Sequence, residues 1–204
     1  MTATGSGLTQ RQITVGDVIG SYMMSVVSGV MAAGLAANSP IVSWRWGGGN
    51  PSAALVKKIV IDADNAGTAF AAGTAEFDLF VARGFSASDS TGNAATLTGN
   101  NGKLRTQFST TLLADFRCAG TATLTAGTRT LDTTPLNRLI AGIPITTVSY
   151  EIINPYTPIF DARVSEQPLI VANNEGFVIQ ASVPATGTWS FSCAVYWDEV
   201  LAYP

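Results

Sequence analysis

Phe177-Val178-Ile179-Gln180-Ala181-Ser182-Val183, then Pro184-Ala185-Thr186-Gly187, then Thr188-Trp189-Ser190-Phe191-Ser192-Cys193-Ala194-Val195-Tyr196-Trp197 form the stretch that decides the fold. In its last segment Trp189, Phe191, Cys193, Val195 and Trp197 fall on one side of an extended chain, with smaller or polar residues between them. Successive side chains of extended backbone point to opposite faces, so a period of two marks a strand with one buried face. The Pro-Ala-Thr-Gly break between two such runs predicts a β-hairpin with an aromatic-rich inner side.

Working outward, the same pattern recurs. Ala75, Phe77, Leu79 and Val81 alternate with Glu76 and Asp78, and Phe80 interrupts the polar side. Residues 54–61 are rich in β-formers and are closed by Asp62-Ala63-Asp64-Asn65, which reads as a strand ending in a turn. Ile41-Val42-Ser43-Trp44-Arg45-Trp46 puts two tryptophans on one face before the breaker Gly47-Gly48-Gly49-Asn50-Pro51. Tyr22, Met24 and Val26, with Val27 and Val30 offset, fit a strand broken at Gly29, and a short helix over residues 30–37 is an open alternative. Thr121 to Thr130 alternates around Leu124, and Pro135, Pro144, Pro155 and Pro158 confine the following strands to short or edge positions.

Residues 86–102 are rich in Ser, Gly, Asn and Thr and read as a long loop, a class that is usually functional or mobile. Residues 1–15 read as an extended N-terminal arm, leaving 16–204 as one domain. Short strands, many Gly and Pro turns and no long amphipathic helix predict an all-β sandwich.

Composition narrows the chemistry. The 204 residues include no histidine, which removes Ser-His-Asp and Cys-His nucleophilic arrangements and most zinc geometries. Hydrophobic residues make up 47%, enough for a packed core. Charged residues make up 12%, against about 25% in an average soluble domain, and charge depletion is a mark of surfaces covered by neighbours. An oligomeric assembly subunit is the expectation. With 11 basic and 14 acidic side chains and a net charge of −3, nucleic acid is not an expected partner. The polar opening MTATGSGLTQRQ lacks a signal-peptide core, and the apolar run Met23 to Ala37 is interrupted by Ser25, Ser28, Gly29 and Gly34, so a soluble protein made in a cytoplasm is expected, without a membrane partner.

Each candidate for chemistry has a plain structural alternative. Asp62, Asp64 and Asn65 echo a calcium loop but lack its remaining ligands and read also as a solvated turn. Asp198-Glu199 and Glu76/Asp78 offer carboxylate pairs of the kind that cleave glycosides, or solvent-facing acids on a strand. Trp44, Trp46, Trp189, Trp197 and Tyr196 suit a sugar-stacking face or the sandwich core. Arg45 lies opposite its flanking tryptophans, for an interface salt bridge or for solvent, and Gly47-Gly48-Gly49 lacks a phosphate-loop context. Cys118 and Cys193 match no metal or redox spacing and read as buried thiols, with one long-range bridge as the alternative. No catalytic, cofactor or metal site is expected.

The segment Asn173-Asn174-Glu175-Gly176-Phe177-Val178-Ile179, with Pro184 to Trp189 and Tyr196-Trp197-Asp198-Glu199, resembles virion structural proteins of tailed bacteriophages. Residues 31–37 running into Pro40-Ile41-Val42-Ser43-Trp44-Arg45-Trp46, and residues 97–106, are similar to the same group. The resemblance implies a jelly-roll-like subunit on the phage head, a decoration or cement protein. Such a subunit would be a homo-oligomer, a trimer by preference, bound to the major capsid protein and stabilising its lattice. Two rivals are a tail or head-fibre component that binds a host-surface glycan, and a hydrolase with two converging carboxylates.

Overall fold

The computed structural model describes residues 18–36, 38–49, 52–108, 113–143, 151–153 and 157–201. The arm expected over residues 1–15 lies outside them. Among the described residues the chain forms two seven-stranded antiparallel sheets and one four-residue helix, and the fold is an all-β sandwich.

The strands are β1 (Val18–Val27), β2 (Met31–Ala32), β3 (Ser39–Trp46), β4 (Ala53–Asn65), β5 (Gly73–Arg83), β6 (Asn93–Ala94), β7 (Ala114–Cys118), β8 (Thr130–Leu131), β9 (Asn137–Ile143), β10 (Glu151–Ile153), β11 (Pro158–Asp161), β12 (Leu169–Val171), β13 (Gly176–Ser182) and β14 (Thr188–Val200). The helix α1 (Ala162–Ser165) sits between β11 and β12. In the first sheet β14 lies between β4 and a broken edge made of β1 and β2, while β10, β11 and β12 follow one another along the far side of β4. The second sheet runs β6-β7-β3-β13-β5, with β8 and β9 sharing the far edge of β5. Early strands therefore pair with late ones in nested order: β1 with β14, β3 with β13, β4 with β10 to β12, and β5 with β8 and β9.

The expected strands at 177–183 and 188–197 exist, but the hairpin between them does not. β13 pairs with β3 and β5 in the second sheet, and β14 pairs with β1 and β4 in the first. Alternation reports which face a side chain takes and not which strand lies alongside, and both strands already have partners on each edge. The intervening turn bonds elsewhere: Gly34 N donates to Pro184 O at 2.9 Å, Ala33 N to Gly187 O at 2.9 Å and Ala71 N to Thr186 Oγ1 at 3.1 Å. Gly187, at φ 114°, makes the crossing between sheets, and a Cβ there would lie 2.9 Å from Ala69 O.

One further expectation is corrected and two others are resolved. Residues 62–65 are not a turn, because β4 runs on to Asn65, paired with β14 on one side and β10 on the other. Among the described residues of 30–37 there is a two-residue strand and no helix, since Ser28 N bonds Phe191 O and Gly29 N bonds Gly120 O where the edge breaks. In residues 121–130, Thr125 forms an isolated bridge and Thr130 opens β8, a two-residue strand at the edge of its sheet, in line with the expected short and edge strands.

The core fills the space between the sheets. Trp44, Trp46, Trp189 and Trp197 are each 0% exposed. Tyr22 stacks on Trp197 with centroids 5.3 Å apart, Trp197 meets Trp44 edge-on at 5.7 Å, and Trp44 stacks on Phe177 at 5.8 Å. A second group joins Phe77, Trp189 and Phe191 at 5.9 and 5.5 Å. The indole N–H groups of Trp44, Trp46 and Trp189 have no hydrogen-bond partner among the described residues. An unmade bond costs about 1–3 kcal/mol, whereas burying an aromatic side chain of 150–250 Å² contributes roughly 4–6 kcal/mol, so burial wins.

Candidate functional site

The candidate carboxylates do not converge. Asp78 is 5% exposed and both of its oxygens accept from Arg138, at 2.5 and 2.7 Å. Asp198 and Glu199 are adjacent in β14 and so take opposite faces. Asp198 faces outward and accepts from Ser21 Oγ at 2.6 Å and Lys57 Nζ at 2.7 Å. Glu199 is 2% exposed, with Trp197 Nε1 at 3.5 Å. Burial, reinforced by the charge of Glu199, pushes the Tyr22 phenol up to about 12.

Asp62 and Asp64 lie outward on β4, while Asn65 turns inward and donates to Thr68 O at 2.7 Å and Thr188 O at 3.1 Å. The three therefore do not form the loop that a calcium ion would need. Among the described residues no three His, Cys, Asp or Glu side chains come together as a metal site.

The tryptophans belong to the core, which leaves Tyr196, half-buried on the outer face of β14, as the exposed member of the aromatic set. Cys118 in the second sheet and Cys193 in the first are free, buried thiols. Burial raises Cys118 to about 12, and raises Cys193 further with a contribution from Cys118. Such thiols are poor nucleophiles. Arg45 is half-buried and, within the chain, donates to Ser88 Oγ at 3.1 Å and Asn174 Oδ1 at 2.5 Å, with its guanidinium 5.9 Å from the Phe85 ring centre. Gly47 N donates to Leu113 O at 2.6 Å, and a Cβ on Gly48 would lie 2.3 Å from the Trp46 ring, so these glycines serve a tight turn beneath the core.

The long loop is tied down. Asp89 and Arg129 form a buried ion pair at 2.9 Å, with side-chain exposures of 0% and 6%, and Asp89 also accepts from Gly127 N at 2.7 Å. Ser90 bridges Thr125, β6 pairs with β7, and Gly102 O accepts from Met23 N on the edge strand β1 at 2.7 Å.

Three surface features remain. A groove of about 220 Å³ is lined by Leu136, Pro158, Phe160 and Val164 among others, where the β9 edge meets β11 and α1. Leu136, Ile140 and Val164 are 48%, 57% and 82% exposed. A polar cleft of about 390 Å³ lies where the β1–β2 edge breaks, lined by Thr91, Asn93, Thr121 and Thr123 among others. A third cleft, of about 290 Å³, gathers Lys57, Lys58, Arg163 and Tyr196 on the outer face of the first sheet. Sequence reading missed the first and third. The Lys57-Lys58 doublet inside an otherwise apolar strand was the available signal, because two adjacent charges on a central strand require a bulge to bring both to the surface. The chain matches no protein-family model and no curated protein sequence.

Proposed function

We propose that this chain is a non-enzymatic structural subunit of a bacteriophage virion, a head decoration protein that binds the major capsid protein and stabilises its lattice. The observation that carries the reading is the exposure of Leu136 and Val164 in an apolar groove, on a surface where Arg83, Arg117 and Arg138 are paired with acids. Exposed apolar side chains clustered at a rim mark surfaces that neighbours cover. The nested pairing of early with late strands supports the jelly-roll form of the sandwich, a double-sheet architecture that recurs in capsid subunits. In this reading the subunit assembles with copies of itself, as a trimer, and resides on the phage head.

Occupancy stabilises the assembled shell by linkage, because a ligand that prefers the assembled state lowers its free energy. The test is co-sedimentation of the purified protein with shells that lack it, alongside the thermal stability of those shells. Retention with a raised shell melting temperature is expected, and Leu136→Ser/Val164→Ser should weaken it without unfolding the subunit. Shells that neither retain the protein nor gain stability would sink the reading.

A second reading, a tail or head-fibre component that binds a host-surface glycan, is favoured by the polar cleft at Thr91, Asn93, Thr121 and Thr123, whose hydroxyls and amide suit sugar hydroxyls. Binding to a glycan array that Asn93→Ala abolishes would select it.

A further inference from the structure

Two irregularities of the first sheet coincide. Tyr196 pairs with Lys58 and Trp197 with Val56, so Lys57 is the extra residue of a β-bulge in a central strand. On the other edge of β4, β11 ends with Asp161 opposite Lys58 and β12 begins with Leu169 opposite Val56. The chain between them leaves the sheet as α1, capped by Asp161 and stopped at Glu166 with φ 64°. A bulge re-aims side chains and is a built feature of a sheet. Here it brings two successive lysines to one cleft, where Arg163 joins them.

The cations in that cleft are held but not used up. Lys57 gives one bond, to Asp198 at 2.7 Å, and its side chain is 43% exposed. Arg163 holds Asp161 through Nε and Nη2, leaving Nη1 without a partner among the described residues, and its side chain is 80% exposed. Lys58 makes no hydrogen bond or ion pair among the described residues, and its ammonium stands 6.0 Å from the Tyr196 ring centre. Three cations against Asp161 and Asp198 leave one positive charge, on a chain whose net charge is −3.

We infer that the Lys57/Lys58/Arg163 cleft is a docking site for an acidic side chain, an Asp or Glu on a protein partner. The inference rests on the reading of the chain as a subunit that binds a protein lattice. The cleft walls are almost wholly apolar. A carboxylate on a short aliphatic stem suits them: the stem lies along Tyr196, Ala162 and the lysine methylenes while the oxygens reach the unused N–H donors. A glycan would bring many hydroxyls that apolar walls leave unpaired. A phosphate would bring a second negative charge against two resident carboxylates and a single surplus cation.

The test is a titration of the full chain, followed by amide and side-chain NMR, with acetyl-Leu-Glu-Leu-amide, with its Gln counterpart and with glucuronate. The Glu peptide should move the signals of Lys57, Lys58, Arg163 and Tyr196, with the Gln peptide about tenfold weaker, and about 1 M salt should remove the difference because screening then acts within about 3 Å. Equal shifts from both peptides, no shift, or a preference for glucuronate would overturn the inference. In a second arm, Lys58→Glu, which leaves the Arg163–Asp161 pair in place, should lower retention on shells by about tenfold. Wild-type retention matched by this variant overturns the cleft and leaves the decoration reading standing. If wild-type protein is not retained at all, the decoration reading falls and the peptide titration alone decides the cleft.

Discussion

The outer faces of the two sheets treat charge differently. On the second sheet Asp78 holds Arg138, Asp115 holds Arg117 at 2.7 Å, and Arg83 spans Asp132 at 3.0 Å and Glu175 at 3.1 Å. The first sheet pairs Lys57 with Asp198 and Arg163 with Asp161, while Lys58, opposite Asp161 in register and beside the Tyr196 ring, makes no hydrogen bond or ion pair among the described residues. The difference follows the backbone. β5 is regular, so its outward acids at Glu76 and Asp78 meet β9 in register, with Asp78 opposite Arg138. β4 is bulged, so Lys57 and Lys58 both reach the surface, where Arg163 from α1 already engages Asp161, one of the two acids that face them. A regular strand balances its charges through register, and a bulge leaves a surplus for something outside the chain.

The comparison assumes that both faces stand on one core. Trp44→Ala should therefore cost about 3–5 kcal/mol and lower the urea midpoint in a single transition seen equally by probes on either face. Two separate transitions would mean that the sheets are independent bodies. The next effect concerns charge in the interior. Arg129→Ala strands the Asp89 carboxylate, which is 1% exposed, and should cost about 3–5 kcal/mol, with much of the loss recovered in Arg129→Met/Asp89→Leu. Equal losses in the single and double variants would show that packing, and not the charge, is at stake.

A smaller effect separates the faces directly. Arg138→Gln uncovers Asp78 and should lower the denaturation midpoint, whereas Lys58→Gln should leave it in place. Equal responses would erase the contrast. The smallest effect is in acid. Hydrogen bonds from the Arg163 side chain and backbone hold Asp161 down to about 2, below its unfolded value of 3.8. A depressed carboxylate contributes stability above the unfolded pKa and loses it as pH falls through the folded one. The contribution should fade between about pH 4 and pH 2, and Asp161→Asn should flatten an acid titration of stability in that window.

What the sequence disclosed followed the physics of alternation. Trp189 to Trp197, Trp44 with Trp46, and Phe77 with Leu79 took the buried faces that their spacing assigned, because one-sided burial is written in every second residue. Strand partnership is not written there, and the expected hairpin at 184–187 failed for that reason. The end of β4 was misread because Asp and Asn favour turns, yet an outward Asp is equally at home on a solvated face, and Asn65 finds buried carbonyls. The Asp89–Arg129 pair joins residues 40 apart in two segments without regular strand, so no periodicity could announce it. The groove at Leu136 and Val164 was equally hidden, since it arises where the edges of two sheets meet, with Asn137 Nδ2 donating across to Ile159 O at 2.8 Å.

The nested strand order has a consequence for how the chain acquires its shape. β14, the last described strand to be synthesised, fills the gap between β1 and β4, so until it arrives those two strands have no common neighbour. β1 meets its partner only across most of the chain, a separation that slows folding because distant ends must be brought together before any contact rewards them. Nascent chains would then spend their longest interval with bare strand edges, the condition under which β proteins associate wrongly. The yield of folded subunit should depend on how quickly residues 188–200 follow the rest.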